Sequence, residues 1–284
     1  MALCQARWVE RELQGRGVET EIVQVATAGD RGERLYDKAR WTSELELALL
    51  ECRIDVAVHC AKDLPGELAE GTVLAAIPAR EDARDAICGA AGLAELEPGS
   101  RVGTSSLRRA AQIRALRDDL EVVPVRGNVD TRLRKLGDGE AEALVLALAG
   151  LRRLGRQAEA GGVLNELIPA AGQGALALQT RTGGEAQISP LSDASAAMCV
   201  TCERELTLAL GASCNTAVGA HATPTGDNRV QLSAWIGLPD GSHWIADSLS
   251  GSPHAVAQQL AQRLVTVGAK ELLARAQQMA ESAR

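Results

Sequence analysis

Residues 102–127 read VGTSSLRRAAQIRALRDDLEVVPVRG, and this stretch decides the fold class. A glycine and hydroxyl turn opens a helical pattern, and a β-rich run over 120–125 follows it. The same order continues along the chain, with DTRLRKLGDG as a short helix and EALVLALAG as a buried strand. Strands that alternate with helices in this way predict βαβ units around a mainly parallel sheet.

The N-terminal part repeats this alternation. We expect an amphipathic helix over about 3–14, a strand over 20–27, a charged loop over 30–40, a helix over 43–51 and a strand over 54–58. PAREDARDAICG marks a crossing into a second unit, and PAAGQGALALQTR returns to the first. The prediction is therefore two α/β domains, one over 1–77 plus about 175–197 and one, rich in arginine, over 78–174.

The pattern changes after about residue 197. A helix and the turn LGASCNTAVG precede three short strands over 218–223, 230–237 and 243–250, and a long helical segment over 255–281 follows. This order predicts a small α+β C-terminal domain over 198–284.

Composition limits the class of protein. The chain has 284 residues, of which 46% are hydrophobic and 24% charged, as in globular proteins. Its longest apolar run, ALVLALAGL, is shorter than the roughly 20 residues that span a bilayer, and the N-terminus lacks a signal-peptide pattern. Seven cysteines, an odd number, fit reduced thiols, so we expect a cytoplasmic protein without a membrane partner.

Charge is unevenly distributed. The net charge of −7 argues against nucleic-acid binding through the whole surface. Residues 101–153 nevertheless carry eleven Lys or Arg against seven Asp or Glu, a charge of +4, which leaves −11 for the remainder. A basic centre in an acidic chain suggests a site for an anionic small molecule.

Two turns can form that site. Thr104, Ser105 and Ser106 stand at a helix start, where hydroxyls and free N–H groups bind anions, and Arg108 and Arg109 add positive charge. An ordinary helix cap with solvated arginines would explain this turn equally well.

The second turn follows the next strand and has the same features. Arg126 ends the strand, Gly127 and Asn128 form the turn, and Arg132 lies in the first helical turn. Two such strand ends face one edge of an α/β sheet, where ligands bind, so together they favour a polyanion site. Guanidinium groups suit carboxylates and phosphates alike, although the chain lacks a G-x-x-x-x-G-K-[ST] motif.

Two further motifs carry reactive residues. In IDVAVHCAKDLPGEL, residues 54–68, the expected strand runs into Lys62 and Asp63, which are either a polar strand end or an acid–base pair. Cys199 and Cys202 form a C-x-x-C that could bind zinc with Cys214 and His221, but they lie in a predicted helix. We therefore favour packing thiols and expect no metal.

Seven segments taken in order resemble the porphobilinogen deaminase family. They are HCAKDLP, REDARDA, VGTSSLRRAAQ, RGNVDTRLRKL, LALAGLRRLG, PAAGQGAL and ERELTLALGASC. The resemblance implies two periplasmic-binding-protein-like βαβ domains with a small α+β C-terminal domain. It also implies a transferase, hydroxymethylbilane synthase, that joins four porphobilinogen molecules head to tail with release of ammonia. Family members build the chain on a dipyrromethane cofactor held through a cysteine thioether.

The resemblance also implies roles for individual residues. Asp63 matches the catalytic carboxylate, which stabilises the electron-poor carbon left when ammonia departs, and Cys214 matches the cofactor-bearing cysteine. The positions that match substrate- or cofactor-binding residues are Lys38, Lys62, Thr104, Ser105, Ser106, Arg108, Arg109, Arg126, Gly127, Asn128 and Arg132. A cytoplasmic monomer with porphobilinogen as substrate is expected.

The chain departs from the family pattern at several positions. The family has a strand and an arginine- and serine-bearing turn before the helix that begins here near Ala2. Cys60 replaces a common serine, Gln179 a common glutamate, and the region of Glu159 lacks a common arginine. These departures leave an inactive relative as one alternative to the enzyme. The other alternative is a non-catalytic anion-binding module of the same fold, which explains the arginines equally well.

Overall fold

The computed structural model describes residues 1–25, 39–212, 216–226 and 228–282. Its helices are α1 (Ala2–Gln14), α2 (Ala39–Leu50), α3 (Leu107–Leu116), α4 (Val129–Gly137), α5 (Leu148–Arg153), α6 (Ala194–Ala209), α7 (Pro253–Thr266) and α8 (Ala269–Ser282). The strands are β1 (Ala57–Cys60), β2 (Thr72–Ala76), β3 (Asp85–Cys88), β4 (Arg101–Gly103), β5 (Glu121–Val123), β6 (Ala143–Ala147), β7 (Gly162–Leu164), β8 (Leu176–Arg181), β9 (Ala217–Gly226), β10 (Arg229–Gly237) and β11 (Trp244–Gly251).

The first sheet has the order β1–β8–β2, and both of its described pairs are antiparallel. The prediction of a mainly parallel sheet is wrong for these strands because β8, which returns from the second unit, inserts between β1 and β2. The side chains of Val9 and Leu13 in α1 pack with Leu176 and Leu178 of β8 to form its core.

Two strands predicted from sequence differ from the structure here. Residues 20–25 form no strand, and the side chains of Glu21, Val23 and Gln24 are exposed; residues 26 and 27 lie outside the described residues. The strand expected over 54–58 begins only at Ala57. Ile54 packs against α2 and does not pair with a strand of the sheet. The start of the apolar run therefore contacts a helix, and only its end belongs to β1.

The second sheet has the order β5–β4–β6–β3–β7. β4 pairs in parallel with β5 and with β6, and the helices α3 and α4 connect these strands, which confirms the predicted βαβ units. β3 pairs antiparallel with β6 and β7, so the sheet is mixed.

The C-terminal region is an antiparallel meander in the order β11–β10–β9, covered by α6, α7 and α8. All three predicted strands are present, which confirms the α+β prediction. The single long helix predicted for residues 255–281 is wrong, because Gly268 adopts a φ of +96° that ends α7 before α8 begins.

In the part of the chain that the structure describes, no helix is both long enough and apolar enough to cross a membrane. Cys199 and Cys202 are buried on α6, and burial raises the thiol pKa of Cys202 to about 12. The Sγ atom of Cys202 lies 3.2 Å from the carbonyl oxygen of Pro253. Both cysteines therefore pack in the core of the C-terminal region, and the residues described include no cluster of three or more His, Cys, Asp or Glu suited to a metal.

Candidate active site

A cleft that is partly open to solvent lies between loops of the first sheet and loops of the second sheet. Its walls come from α1, the loop after β1, the first turns of α3 and α4, α5, and the return segment before β8. The polar and glycine residues that line it are Gln5, Cys60, Lys62, Asp63, Arg109, Gly127, Asn128, Gly150, Arg153, Arg132, Gly172 and Gly174.

The loop after β1 supplies both an acid and a base to the cleft. Residues Ala61–Asp63 form a single 3-10 turn, which places Lys62 and Asp63 in the lining. The Nζ of Lys62 donates to Oε1 of Gln173 at 3.2 Å. Burial, followed by the charge of Arg109, lowers the pKa of Lys62 to about 8.

His59, two residues before this turn, belongs to the interior of the first sheet. Its Nε2 lies 2.9 Å from Oε1 of Gln179. Nε2 of Gln179 in turn donates to Glu46 at 3.0 Å and to Thr72 at 2.7 Å. Burial lowers the pKa of His59, which favours the neutral ring. The polar end of the strand thus combines an internal histidine with cleft-facing Lys62 and Asp63.

The hydroxyl turn before α3 acts as a helix cap. Oγ of Ser106 accepts from the backbone N–H of Arg109 at 3.4 Å, and Oγ1 of Thr104 accepts from that of Ser106 at 3.2 Å. Thr104 is buried and Ser105 is exposed. The ordinary capping function considered from sequence is therefore present, while the arginines that follow are buried rather than solvated.

Arg108 and Arg109 share one buried carboxylate, Asp85. Nη2 of Arg108 donates to Oδ2 at 2.8 Å, and Nε and Nη2 of Arg109 donate to Oδ1 at 3.0 and 2.8 Å. The two guanidinium groups hold the pKa of Asp85 far below its usual range despite burial. Arg109 also lines the cleft, whereas Arg108 turns to the carbonyl oxygen of Ile168. Because two cations meet one anion, this cluster leaves positive charge beside the cleft.

The second arginine turn has a similar construction. Oδ1 of Asn128 accepts from the N–H of Thr131 at 2.8 Å and caps α4. Arg132 lines the cleft, donates from Nε to the carbonyl of Gly127 at 2.7 Å, and has its pKa lowered by burial. Arg126 is exposed and is not part of the cleft lining.

Sequence reasoning missed three members of this site: Arg153, Gln173 and Asp85. Arg153, the second arginine of LRRLG, lines the cleft from the last turn of α5, and burial lowers its pKa. Arg153 could have been predicted from sequence, because it comes shortly after a predicted buried strand, as Arg126 does. Glu159, where a family arginine was expected, is exposed and pairs with Arg156 at 2.9 Å.

Two predicted positions cannot be placed in the cleft. Lys38 and Cys214 lie outside the described residues. Their roles stay predictions.

The fold and the cleft define a class of protein. This is an α/β protein with a cleft in which, among the lining residues described, one carboxylate, Asp63, stands among the cations Lys62, Arg109, Arg132 and Arg153.

Comparison with known proteins agrees with this class. Residues 1–189 match the family model described as porphobilinogen deaminase, dipyromethane cofactor binding domain, and residues 197–272 match porphobilinogen deaminase, C-terminal domain. The chain therefore belongs to the porphobilinogen deaminase family.

Individual relatives support this assignment over almost the whole chain. A porphobilinogen deaminase from Thiobacillus denitrificans is 43% identical over 96% of this chain and 94% of its own length. One from Sorangium cellulosum is 46% identical over 85% of each chain. Among solved structures, a TRAP periplasmic solute binding protein from Desulfovibrio salexigens has a TM-score of 0.40 and 13% identity over 67% of each chain, too low to support an inference.

Proposed function

We propose that this protein is a hydroxymethylbilane synthase, a transferase that condenses four porphobilinogen molecules head to tail and releases ammonia at each step. The observation that carries the proposal is Asp63 in a cleft whose other charged side chains, among the residues described, are Lys62, Arg109, Arg132 and Arg153. Each pyrrole of the substrate carries an acetate and a propionate, so the growing chain is a polycarboxylate that such a cleft suits. Relatives over 40% identical carry the porphobilinogen deaminase name.

The residues present fit a dipyrromethane cofactor. Burial lowers the pKa of Lys62, Arg132 and Arg153, which means that these cations are partly desolvated and lack full compensation from water. Anionic carboxylates would supply that compensation. Arg109, Arg132, Arg153 and Lys62 would hold the cofactor's carboxylates, and Cys214 would carry the thioether. The cofactor, when bound, supplies the pyrrole end on which the chain grows.

Asp63 acts on the incoming substrate. The aminomethyl group reacts in its protonated, ammonium form: its carbon–nitrogen bond breaks, ammonia leaves with the bonding electron pair, and the carbon becomes positively charged. The Asp63 carboxylate stabilises that charge. The cofactor's terminal pyrrole would supply the free α-carbon to which this carbon bonds, and Asp63 would help to remove the proton that the α-carbon loses.

The remaining site residues would act by binding. Thr104, Ser105, Ser106 and Asn128 stand at the starts of α3 and α4, where N–H groups and hydroxyls attract carboxylates. Lys38 and Arg126 would contact substrate carboxylates from outside the described cleft lining. Arg108 would act through the position of Arg109 and Asp85, in view of its buried contacts.

The organisation of the molecule follows the same proposal. The three sheets would correspond to domains over 1–77 with 175–197, over 78–174 and over 198–284, with the cleft between the first two. A cytoplasmic monomer that acts on a free small molecule, without a membrane or nucleic-acid partner, fits this arrangement.

The proposal is tested by following porphobilinogen and ammonia together. Purified protein should consume porphobilinogen and release one ammonia for each molecule consumed, with a linear tetrapyrrole as product. Cys214→Ser should do neither, because no primer can attach. A non-catalytic anion-binding module would bind porphobilinogen without releasing ammonia, and that outcome would reject the proposal.

A further inference from the structure

Gln173 lies behind the cleft and contacts two of its cations at once. Its side chain is 1% exposed and is not part of the cleft lining. Oε1 accepts from Nζ of Lys62 at 3.2 Å and from Nη2 of Arg109 at 3.4 Å. Nε2 donates to the carbonyl oxygen of Ala83 and to Oδ1 of Asp85, both at 2.7 Å. All four hydrogen-bonding positions of the amide are therefore used.

Only one orientation of this amide is chemically consistent. With the oxygen and nitrogen exchanged, Oε1 would face the Ala83 carbonyl and the Asp85 carboxylate, while Nε2 would face two cations. The surrounding donors and acceptors thus fix the amide, and the amide in turn gives Lys62 and Arg109 a common acceptor.

The backbone holds Gln173 in this place. Gly172 and Gly174, on either side, have φ of +73° and +87°. A Cβ at Gly172 would lie 2.9 Å from the backbone nitrogen of Lys62, and one at Gly174 would lie 2.3 Å from the carbonyl oxygen of Glu81. The backbone on either side of Gln173 therefore packs closely against the Lys62 turn and against Glu81, in the segment before β3. This packing restricts where the glutamine side chain can lie.

We propose that Gln173 is a positioning residue that holds the Lys62 ammonium beside Arg109 and keeps both cations available to carboxylates in the cleft. The two cations repel each other, and a neutral amide oxygen between them reduces that repulsion without cancelling either charge. A carboxylate in its place would neutralise a cation that the substrate needs. This inference rests on the proposed function for its purpose, but not for its geometry.

The charged groups around Lys62 determine what a change at Gln173 should do. Arg109 on α3 opposes the charged form of Lys62, while Asp63 on its own turn, Asp85 on β3 and Cys60 on β1 favour it. Arg132 and Arg153 line the same cleft. Loss of the amide oxygen removes an acceptor from the ammonium, so the neutral form of Lys62 should become more favourable.

The experiment is trace acetylation of lysines with acetic anhydride over a range of pH, with each lysine quantified by peptide mass spectrometry. The chain has four lysines, so Lys135 and Lys270 serve as internal references. In Gln173→Met, the pH at which Lys62 becomes reactive should fall by about one unit, as expected for the loss of a charge-assisted hydrogen bond. Gln173→Glu is the near-isosteric comparison. Its second carboxyl oxygen would face the Ala83 carbonyl and the Asp85 carboxylate and must carry a proton there, so the neutral acid keeps an acceptor for Lys62 and the labelling pH should stay close to that of wild type.

Gln112→Met is the matched control. Gln112 is also a buried glutamine, but it bonds the backbone of Ile168, with N–H to Oε1 at 2.8 Å and Nε2 to the carbonyl at 3.0 Å. This variant should leave the Lys62 labelling pH unchanged. Equal shifts in the two Met variants, or no shift in Gln173→Met, would overturn the proposal. If Gln173→Met does not fold, Gln173→Asn replaces it: the shorter amide withdraws its oxygen from Lys62, so the labelling pH should again fall, and an unchanged pH would overturn the proposal.

Turnover gives a second and separable result. In Gln173→Met, kcat/KM for porphobilinogen should fall between about tenfold and a hundredfold, and its alkaline limb should move with the labelling pH. Labelling requires no activity. A wild-type chain that does not consume porphobilinogen would reject the proposed function and leave the positioning of Lys62 to the labelling result.

Discussion

At the residue scale, Asp63 is the group whose charge has the opposite sign to its surroundings. The lysine and three arginines of the cleft lining would bind carboxylates, whereas Asp63 would repel them. An anion among cations weakens simple anion binding, whereas it stabilises positive charge that develops during a reaction.

Asp63→Asn tests this role, because it removes the charge and keeps the shape. Turnover should fall by about 10² to 10³, the scale of a group aimed at developing charge. Asp63→Glu should keep measurable activity, since the charge survives in a shifted position. The measurement is the rate of porphobilinogen consumption, and equal rates for wild type and Asp63→Asn would reduce Asp63 to the polar end of a strand turn.

Replacing Arg108 or Arg126 with Leu should affect two different properties, the stability of the fold for Arg108 and the binding of substrate for Arg126. Arg108→Leu leaves Asp85 buried with only part of its compensation, and we expect a loss of about 3 kcal/mol in the free energy of unfolding. Arg126→Leu, at an exposed position, should change stability by less than about 0.5 kcal/mol.

Urea denaturation of both variants measures this difference. Turnover assays then test whether Arg126 contacts substrate, which should appear as a higher KM. Similar unfolding midpoints for the two variants would contradict the structural reading of Arg108.

Part of the site could be predicted from these residues alone. Lys62, Asp63, Arg109 and Arg132 all follow strand ends, and the rule that ligands bind at such an edge brings them together. The burial of Arg108 could not be predicted, because its partner Asp85 lies 23 residues away on a strand whose position depends on tertiary pairing. Gln173 lies in the segment PAAGQGALALQTR, in which no local sequence pattern indicates a contact with Lys62.

At the element scale, the return segment around Gly172 and Gly174 lies in close contact with the loop after β1 and with the segment before β3. Gly174→Ala would place a methyl group 2.3 Å from the carbonyl oxygen of Glu81. Gly183 is the matched control, because its φ of +89° nearly equals the +87° of Gly174 and its Cβ would meet nothing within 4 Å.

Both glycine changes should cost about 1 to 2 kcal/mol for the backbone conformation. Gly174→Ala should cost a further 1 to 3 kcal/mol, roughly the range for overpacking, because the backbone must shift. Urea denaturation measures both variants. An equal loss of stability would mean that the return segment can move away from Glu81 freely.

Elements with strong local signals were predicted correctly, whereas the start of β1 and the break between α7 and α8 were not. The α3 and α4 helices follow from their capping residues Ser106 and Asn128. The β1 strand was displaced because Ile54 packs on α2, a contact invisible to β propensity. The break at Gly268 was missed because glycine inside a helical pattern is often tolerated.

At the scale of the whole molecule, Glu203 joins three parts of the chain. It is fully buried on α6, and its carboxylate pairs with Arg80 at 2.7 Å. The same carboxylate accepts from the N–H groups of Gly172 and of Ala222, both at 2.7 Å. The Glu203 carboxylate of the C-terminal region thus binds both segments that connect the first and second sheets, one through Arg80 and the other through Gly172.

The pKa of Glu203 is lowered in the folded state, because Arg80 and His221 outweigh the effect of burial. Its contribution to stability is therefore present above the unfolded-state pKa of about 4.3 and is lost as pH falls further toward the folded value. Glu203→Gln should lose about 3 kcal/mol at neutral pH and show a weaker decline of stability below about pH 4.3.

Glu205→Gln on the same helix is the control, because Glu205 pairs with the exposed His254. It should lose less than about 1 kcal/mol. Urea denaturation at several pH values compares the two, and a similar pH dependence in both variants would contradict the role given to Glu203.

The most direct test of the whole account is the intact mass of the purified protein before and after addition of porphobilinogen. We expect a starting mass above that of the 284-residue chain by one covalent dipyrromethane, mapped by peptide analysis to Cys214 and absent from Cys214→Ser. With limiting porphobilinogen, the mass should rise in steps of one porphobilinogen less one ammonia. An unmodified chain that shows no such steps, or modification at another residue, would contradict it.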